Sequence, residues 1–201
     1  AHNDNVVYES IQHQKIPSSF HNFNIFFISD IHRRKIKKST LVKVNQRIDI
    51  VIIGGDLIER GVPLERMRRN IIKLSRWGVP IYFVWGNNDY ETNVNKMRQI
   101  LNEENVIVLE DTIVPIYKGN ENIKLVGLKY FENNDAKHTV NWEELDGDFT
   151  ILCTHKPSSF YELSEKNKNQ MNIILAGHTH GGQIRIFGFG FYEKGGTFSY
   201  N

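Results

Sequence analysis

The sequence is poor in cysteine, with Cys153 as the one example among 201 residues. A single cysteine cannot form an internal disulfide or supply a thiolate-rich metal site. Disulfide-stapled folds and cysteine-ligated zinc proteins are therefore excluded. Cys153 lies within an apolar run at 149–154, which favours a small buried core residue over a reactive thiol.

Excess charge and long apolar runs are also lacking. The formal net charge is +2, so no overall electrostatic field demands a nucleic acid or a membrane as partner. No apolar run approaches the ~20 residues of a transmembrane helix. Because the chain begins with Ala1 instead of methionine, this does not decide between a cytoplasmic and a membrane-associated protein.

The composition that remains is typical of a soluble globular protein, with 40% hydrophobic and 24% charged residues. At 201 residues the chain is long enough for one substantial core and too short for two ordinary domains. No repeat or linker interrupts it. We therefore expect a single domain over residues 1–201, with a polar lead-in at 1–24 and a motif-bearing core at 25–190.

Short apolar runs alternate with segments of helical spacing in the first half of the chain. The runs lie at 25–28, 50–53, 81–85 and 106–109, and the helical segments at 39–48, 64–77 and 94–103. Fully apolar strands that alternate with helices predict a largely parallel sheet, buried on both faces. The second half predicts a hairpin at 112–117 and 123–128, strands at 149–154, 172–176 and 183–187, and a helix-like segment at 158–166.

Metal-ligating side chains follow five of these apolar runs. They are Asp30 and His32, Asp56, Asn87 and Asp89, His155, and His178 and His180. In open α/β sheets, ligands bind at the carboxyl ends of the strands, so neighbouring strands would bring these groups to one rim. A helix cap or turn explains any one of them, but hardly all five. Oxygen and nitrogen ligands from five strand ends are too many for one tetrahedral zinc and suit two ions that share a carboxylate.

The last two histidines lie in the stretch 176–183, Ala-Gly-His-Thr-His-Gly-Gly-Gln. Side chains two residues apart in extended backbone point the same way, with Cα atoms roughly 6.5 Å apart. This spacing allows one ion held by both histidines, or two neighbouring ions with one histidine each. The flanking glycines let the backbone turn sharply beside a bound ion.

In chain order the blocks read Asp30-Ile31-His32, Gly55-Asp56, Gly86-Asn87-Asn88-Asp89, His155 and Gly177-His178-Thr179-His180. They resemble the calcineurin-like metallophosphoesterase superfamily, whose pattern is Asp-x-His, Gly-Asp, Gly-Asn-His-Asp, a lone His and Gly-His-x-His. The last block is most similar to a bacterial branch whose members often carry an N-terminal membrane anchor. The resemblance implies an α/β fold, namely a four-layer α/β/β/α sandwich of two mixed β-sheets.

The resemblance also implies a ligand set and a reaction. One ion would bind Asp30, His32 and His180, the other would bind Asn87, His155 and His178, and Asp56 would bridge both. The set lacks thiolate and admits Mn²⁺, Fe or Zn²⁺. The implied activity is hydrolysis of a phosphodiester or phosphomonoester by a metal-bridging hydroxide, with small or lipid- or nucleotide-linked phosphates as substrates.

Asn88 departs from the family pattern, because it replaces the histidine expected to act as general acid and to be oriented by Asp89. An amide can donate a hydrogen bond but cannot deliver a proton at neutral pH. General acid help is typically worth about 10²–10⁴-fold, so we expect slow turnover of esters with poor leaving groups. His138, in the polar loop 130–148, is a weaker candidate for the missing acid. The departure leaves open a metal-binding partner protein with little catalysis.

Five cations follow the first block directly: Arg33, Arg34, Lys35, Lys37 and Lys38. They are expected to attract a phosphorylated substrate, to contact an anionic membrane peripherally, or to form a solvated loop. A nuclease of the same fold is a further alternative. The near-neutral net charge and the lack of an extended basic, aromatic-lined groove give no strong nucleic-acid signal.

Overall fold

The computed structural model describes residues 6–132, 137–145, 147–178 and 183–186. Its first sheet has four strands in chain order: β1 (Ile25–Ile28), β2 (Ile50–Ile53), β3 (Ile81–Val84) and β4 (Val106–Leu109). Every pairing among them is parallel, as the apolar runs predict. The carboxyl ends of these strands therefore lie along one edge of the sheet.

Four helices connect these strands: α1 (Lys38–Val42), α2 (Leu64–Leu74), α3 (Asn87–Tyr90) and α4 (Val94–Glu103). α2 begins after Pro63 and buries one face, including Met67, Ile71 and Leu74, as helical periodicity requires. A 3₁₀ helix, Ser75–Trp77, continues it. Gly78 ends the segment in the left-handed conformation, with φ of 66°.

α1 is shorter than the helical spacing at 39–48 predicts. The helix ends at Val42, and the N-terminal segment holds the next turn. The hydroxyl of Tyr8 donates to the Lys43 carbonyl and accepts from the Asn45 N–H, both at 3.1 Å. A continuing helix would need those backbone groups for its own hydrogen bonds, so the chain turns toward β2 instead.

The second sheet has five strands in chain order: β5 (Thr112–Lys118), β6 (Glu121–Gly127), β7 (Thr150–Thr154), β8 (Ile173–Ala176) and β9 (Gln183–Ile186). β5 and β6 form the predicted antiparallel hairpin. β6, β7 and β8 are parallel to one another, and β9 is antiparallel to β8. This sheet is therefore mixed, and three of its strands end at the same edge.

Short helices lie in the connections of the second sheet. They are the 3₁₀ helices Trp142–Leu145 and Pro157–Phe160, and α5 (Glu165–Lys168). Leu145 and Phe160 pack in the core on the outer face of this sheet. The helix predicted at 158–166 is thus two separate pieces. Ser164 begins the second piece, because its hydroxyl caps α5 by accepting from the Asn167 N–H at 3.3 Å.

Three apolar cores separate the four layers. Along β2, Val51 and Ile53 face the helices of the first half, whereas Ile50 and Ile52 face the second sheet, as the alternation of a strand requires. The second sheet contributes Leu125, Ile151 and Cys153 to this middle core between the sheets. The outer core includes Leu152, Ile174 and Phe160. This layering confirms the predicted α/β/β/α sandwich, and burial raises the pKa of the Cys153 thiol.

No membrane-spanning helix is found in the parts of the chain that the structure describes, because none of their helices is long and apolar enough.

Ile52 in the middle core offers a test of this layering. Ile52 is 0% exposed, whereas Ile107 in β4 is 39% exposed. We expect Ile52→Ala to lower the free energy of unfolding by about 2–5 kcal/mol, because it leaves a cavity between the sheets. Ile107→Ala makes the same chemical change and should cost less than about 1 kcal/mol. Urea unfolding followed by circular dichroism measures both, and equal losses would contradict the assignment of the middle core.

Candidate metal centre

Backbone hydrogen bonds lock the strand ends of the two sheets together. The Asp30 N–H donates to the Gly55 carbonyl at 3.1 Å, and the His32 N–H donates to the Asp56 carbonyl at 3.0 Å. These bonds join the ends of β1 and β2. Between the sheets, the His178 N–H lies 3.1 Å from each carboxylate oxygen of Asp30. The residues that follow the strands therefore share one rim.

Two glycines allow this close approach. A Cβ at Gly86 would lie 2.2 Å from Oδ1 of Asp56, and a Cβ at Gly177 would lie 2.7 Å from the Gly54 carbonyl oxygen. Both distances are shorter than real Cβ contacts. A side chain at either position would push the strand ends apart, so glycine is required by space.

Four of the predicted ligands have left-handed backbone, with φ of 53° at Asp30, 52° at His32, 50° at Asp56 and 70° at His178. Residues with a side chain rarely adopt this region, which is unfavourable by about 1–3 kcal/mol each, and such residues cluster at functional sites. Hydrogen bonds from neighbouring loops hold them there. The result is that four side chains leave their strands toward a common point.

One group of ligand atoms surrounds His155. Its Nε2 lies 3.3 Å from Oδ2 of Asp56, 3.2 Å from Oδ1 of Asn87 and 3.2 Å from Nδ1 of His178. The His178 Nδ1 is also 3.1 Å from the Asn87 Oδ1. The first sheet supplies Asp56 and Asn87, and the second supplies the histidines.

A second group surrounds His32. Its Nε2 lies 3.7 Å from Oδ2 of Asp56 and 4.0 Å from Oδ1 of Asp30. Within each group, the ligand atoms of the histidines and carboxylates lie within 4.8 Å of one another. Asp56 belongs to both groups, so the two clusters are adjacent and share a carboxylate.

The orientation of the histidine rings fits a cation at each cluster. Nδ1 of His155 lies 2.8 Å from the Gly54 carbonyl oxygen, an acceptor, so that nitrogen carries the proton and Nε2 carries a lone pair. Nδ1 of His32 lies 3.2 Å from Oε2 of Glu59, which favours the same arrangement. Both Nε2 lone pairs then face the Asp56 carboxylate. Positive charge relieves this repulsion, and divalent cations accept this nitrogen and oxygen donor set.

The pKa shifts have the same electrostatic origin. Burial alone would raise the pKa of Asp56, but its contact with His155 and its hydrogen bonds from Asn88 outweigh burial and hold this pKa below its usual value. Burial alone would lower the pKa of His155, but the Asp56 carboxylate raises it above its usual value. Burial and the neighbouring His155 lower the pKa of His178. Negative potential is therefore concentrated at Asp56.

Asp89 is buried beneath this carboxylate, with 0% exposure. Its Oδ2 accepts from the N–H groups of Asp56 and Gly86, both at 2.8 Å, and its Oδ1 accepts from the Ile58 N–H at 3.1 Å. Burial raises the pKa of Asp89 to about 7 despite these bonds. Asp89 ties the end of β2 to the end of β3. Among the described contacts, none joins its carboxylate to the side chain of Asn88, so the geometry favours a positioning role.

Asn88 itself faces the shared carboxylate. Its side-chain Nδ2 donates to Oδ2 of Asp56 at 2.7 Å, and its backbone N–H donates to Oδ1 at 2.9 Å. Both oxygens of Asp56 therefore accept from one residue. The amide at position 88 fixes the orientation of this carboxylate.

Glu59 and Tyr130 adjoin the centre, although the sequence motifs do not single them out. Glu59 contacts His32 and also pairs with Arg33. The Tyr130 ring lies edge-on to the His155 ring, with centroids 6.2 Å apart. Tyr130 follows β6, whose end shares the rim because β6 is parallel to β7. The hairpin pattern at 112–128 gives no hint of that placement.

The predicted ligand His180 lies outside the described residues. His138, the alternative acid, stands apart from the two clusters. The His138 Nδ1 lies 2.7 Å from Oδ1 of Asp111, at the start of β5. Asp111 also accepts from the N–H groups of Lys129 and Thr139. In the described contacts, His138 therefore contacts Asp111, and the carboxylate of Asp111 anchors the loop after β6.

Comparison with known proteins identifies the family of this chain. The sequence profile of the calcineurin-like phosphoesterases matches residues 23–182. The crystal structure of phosphopantetheinyl hydrolase from Mycobacterium tuberculosis superposes with a TM-score of 0.52 and 13% identity, covering 79% of this chain and 83% of that one. That likeness supports the fold alone.

Among curated sequences, the uncharacterized protein YpbG of Bacillus subtilis (strain 168) is 42% identical over 175 residues, covering 86% of this chain and 67% of YpbG. Phosphodiesterase YaeI of Escherichia coli (strain K12) is 23% identical, covering 82% of this chain and 63% of YaeI. A transmembrane protein with metallophosphoesterase domain from Danio rerio is 24% identical, covering 89% of this chain and 45% of that protein. This chain thus spans about half to two thirds of the length of these relatives. The chain belongs to the calcineurin-like phosphoesterase family of metal-dependent hydrolases.

Proposed function

We propose that this chain is a two-metal phosphoesterase that hydrolyses phosphodiester or phosphomonoester bonds. The observation that carries the proposal is the sharing of Asp56 between two clusters of ligand atoms. Asp30 and His32 would hold one ion together with His180, and Asn87, His155 and His178 would hold the other. The donor set contains no thiolate and is suited to Mn²⁺, Fe or Zn²⁺.

When bound, two such ions supply Lewis acidity, an activated water and neutralisation of phosphate charge. The residues of the chain hold and orient the ligands. Asp89 fixes the backbone of Asp56, Asn88 fixes its carboxylate, and the Gly54 carbonyl fixes the ring of His155. A preorganised site of this kind needs little rearrangement during the reaction. No side chain in the described clusters is placed as a covalent nucleophile.

The proposed substrates are small or lipid- or nucleotide-linked phosphates. Two relatives support this range, because one is named a phosphodiesterase and the other a transmembrane protein. Tyr130, beside His155, offers an aromatic surface for either substituent of the phosphate, the leaving group or the group that is retained. Binding of this chain to a lipid-linked phosphate would agree with the cations that follow His32.

Asp56→Asn tests the shared carboxylate. An amide offers one oxygen where the carboxylate offers two, and it carries no charge to hold the second ion. We expect loss of at least one ion per chain and a fall in turnover of at least about 100-fold, which exceeds the usual effect of an outer-shell partner. The measurements are metal content by mass spectrometry and hydrolysis of bis(p-nitrophenyl) phosphate with added Mn²⁺.

The matched control for this change is Asp49→Asn. Asp49 accepts from the Asn24 N–H at 2.8 Å, at the opposite end of the first sheet, and an amide oxygen can keep that bond. The control should retain both metal and activity. Unchanged metal content and turnover in Asp56→Asn would contradict the two-ion site. Two bound ions without turnover in the unmodified chain would favour a metal-binding partner protein.

Asn88→His tests the missing general acid. A histidine can protonate a leaving oxygen, and that help matters most for poor leaving groups, by about 10²–10⁴-fold. We expect the rate to rise more for an alkyl phosphodiester than for an aryl phosphodiester. Asn88→Gln keeps an amide and serves as control. Equal gains on both substrates would show that position 88 does not limit protonation.

Glu59→Gln tests the orientation of His32. Loss of the carboxylate beside Nδ1 should weaken the preferred ring tautomer and lower affinity for one ion by about 10–100-fold. Glu110→Gln is the control, because Glu110 also follows a strand and pairs with Arg98, at 2.6 Å. Titration of the metal-free proteins with Mn²⁺ measures both affinities. Equal affinities in the two variants would remove Glu59 from the centre.

A further inference from the structure

A basic face lies beside the rim, formed by the loop 33–38, by Arg60 and by three cations of α2. Its nine cations are Arg33, Arg34, Lys35, Lys37, Lys38, Arg60, Arg66, Arg69 and Lys73. The two carboxylates among them are Glu59 and Glu65, so this face carries a formal net charge of +7. The whole chain carries +2, which leaves −5 for all other residues. The near-neutral net charge therefore combines a strongly basic face with an acidic remainder.

The loop of this basic face is fixed onto α2. Asn70 of α2 is 1% exposed; its side chain accepts from the Ile36 N–H and donates to the Arg34 carbonyl, both at 3.0 Å. Nζ of Lys73 donates to the Ile36 carbonyl at 2.6 Å. The loop backbone that carries these cations is consequently held in place before any partner arrives, which reduces the entropy lost on binding.

A cavity of about 380 Å³ opens between the loop and the helix. Its lining includes Lys35, Arg66, Arg69 and Lys73. Glu65 also lines it but is paired with Arg69 at 3.1 Å. Among the described residues, Lys35, Lys38 and Arg60 have no carboxylate within ion-pair distance. The basic face thus offers charge that the chain itself does not neutralise.

Exposed apolar side chains accompany these cations. Ile72 of α2 follows Arg69 by three residues and is 41% exposed. Val42 of α1, four residues after Lys38, is 70% exposed. Cations with interspersed aliphatic side chains are typical of a surface that rests at the interface of an anionic bilayer.

We infer that the basic face docks on an anionic lipid bilayer. Charge complementarity favours this partner, and aliphatic side chains next to the cations favour a bilayer over a single-stranded nucleic acid, which needs aromatic stacking. The face begins at Arg33, directly after His32, and Arg33 pairs with Glu59. Docking would therefore bring the rim close to phosphates in the headgroup layer. The inference does not require the proposed catalytic activity.

Vesicle sedimentation of the 201-residue chain tests the inference. The probes are phosphatidylcholine vesicles with and without phosphatidylglycerol, over a series of salt concentrations. We expect binding to the anionic vesicles only, weakening as salt rises. Each cation near such a surface contributes about fivefold to partitioning, so Lys35→Glu/Lys38→Glu/Arg60→Glu should weaken binding on the order of a hundredfold or more.

The control variant, Lys15→Glu/Lys96→Glu/Lys166→Glu, makes the same change in net charge at exposed lysines outside the basic face, and it should keep binding. Val42→Ser/Ile72→Ser should weaken binding by about tenfold through loss of apolar contact. Unfolding midpoints should match the unmodified chain in all three variants. Equal losses in the two triple variants, equal binding to neutral vesicles, or retention on single-stranded DNA without vesicle binding would each overturn the inference.

Discussion

The pairing of the Asp56 carboxylate is the interaction on which the rest of the site depends. This group is 2% exposed, and an unpaired charge at such depth would be unfavourable by several kcal/mol. Its partners arrive from different strand ends: Asn88 after β3 and His155 after β7. The close approach at Gly86 and the left-handed backbone of Asp56 follow from bringing those partners to one carboxylate.

The two sheets have separate tasks in this arrangement. The first presents carboxylates, amides and His32, and the second presents His155 and His178. The apolar core between the sheets brings the two sets together, so packing and chemistry cannot be separated. His155 and Gly54 are 101 residues apart in sequence, yet their contact sets the orientation of the ring. The site therefore forms only when the sandwich itself is complete.

Much of the fold could be predicted from short patterns, but the supporting contacts of the site could not. Apolar runs at regular intervals indicate parallel strands, and the motif blocks indicate which strand ends meet. The early end of α1 depends on Tyr8, more than thirty residues away. The contact of Glu59 with His32 and the placement of Tyr130 beside His155 are likewise tertiary. Such contacts have no local periodicity, so a single sequence does not reveal them.

The substitution at position 88 can be understood from the same carboxylate. Asn88 places two hydrogen bonds on Asp56, one from its backbone and one from its side chain. Any residue supplies the backbone bond, but the side-chain bond needs a short donor that never loses its proton, and an amide meets that condition at every pH where the protein is folded. An imidazole would titrate beside the carboxylate and couple its own protonation to the charge of the centre. Asn88 thus favours a constant ligand geometry over proton delivery.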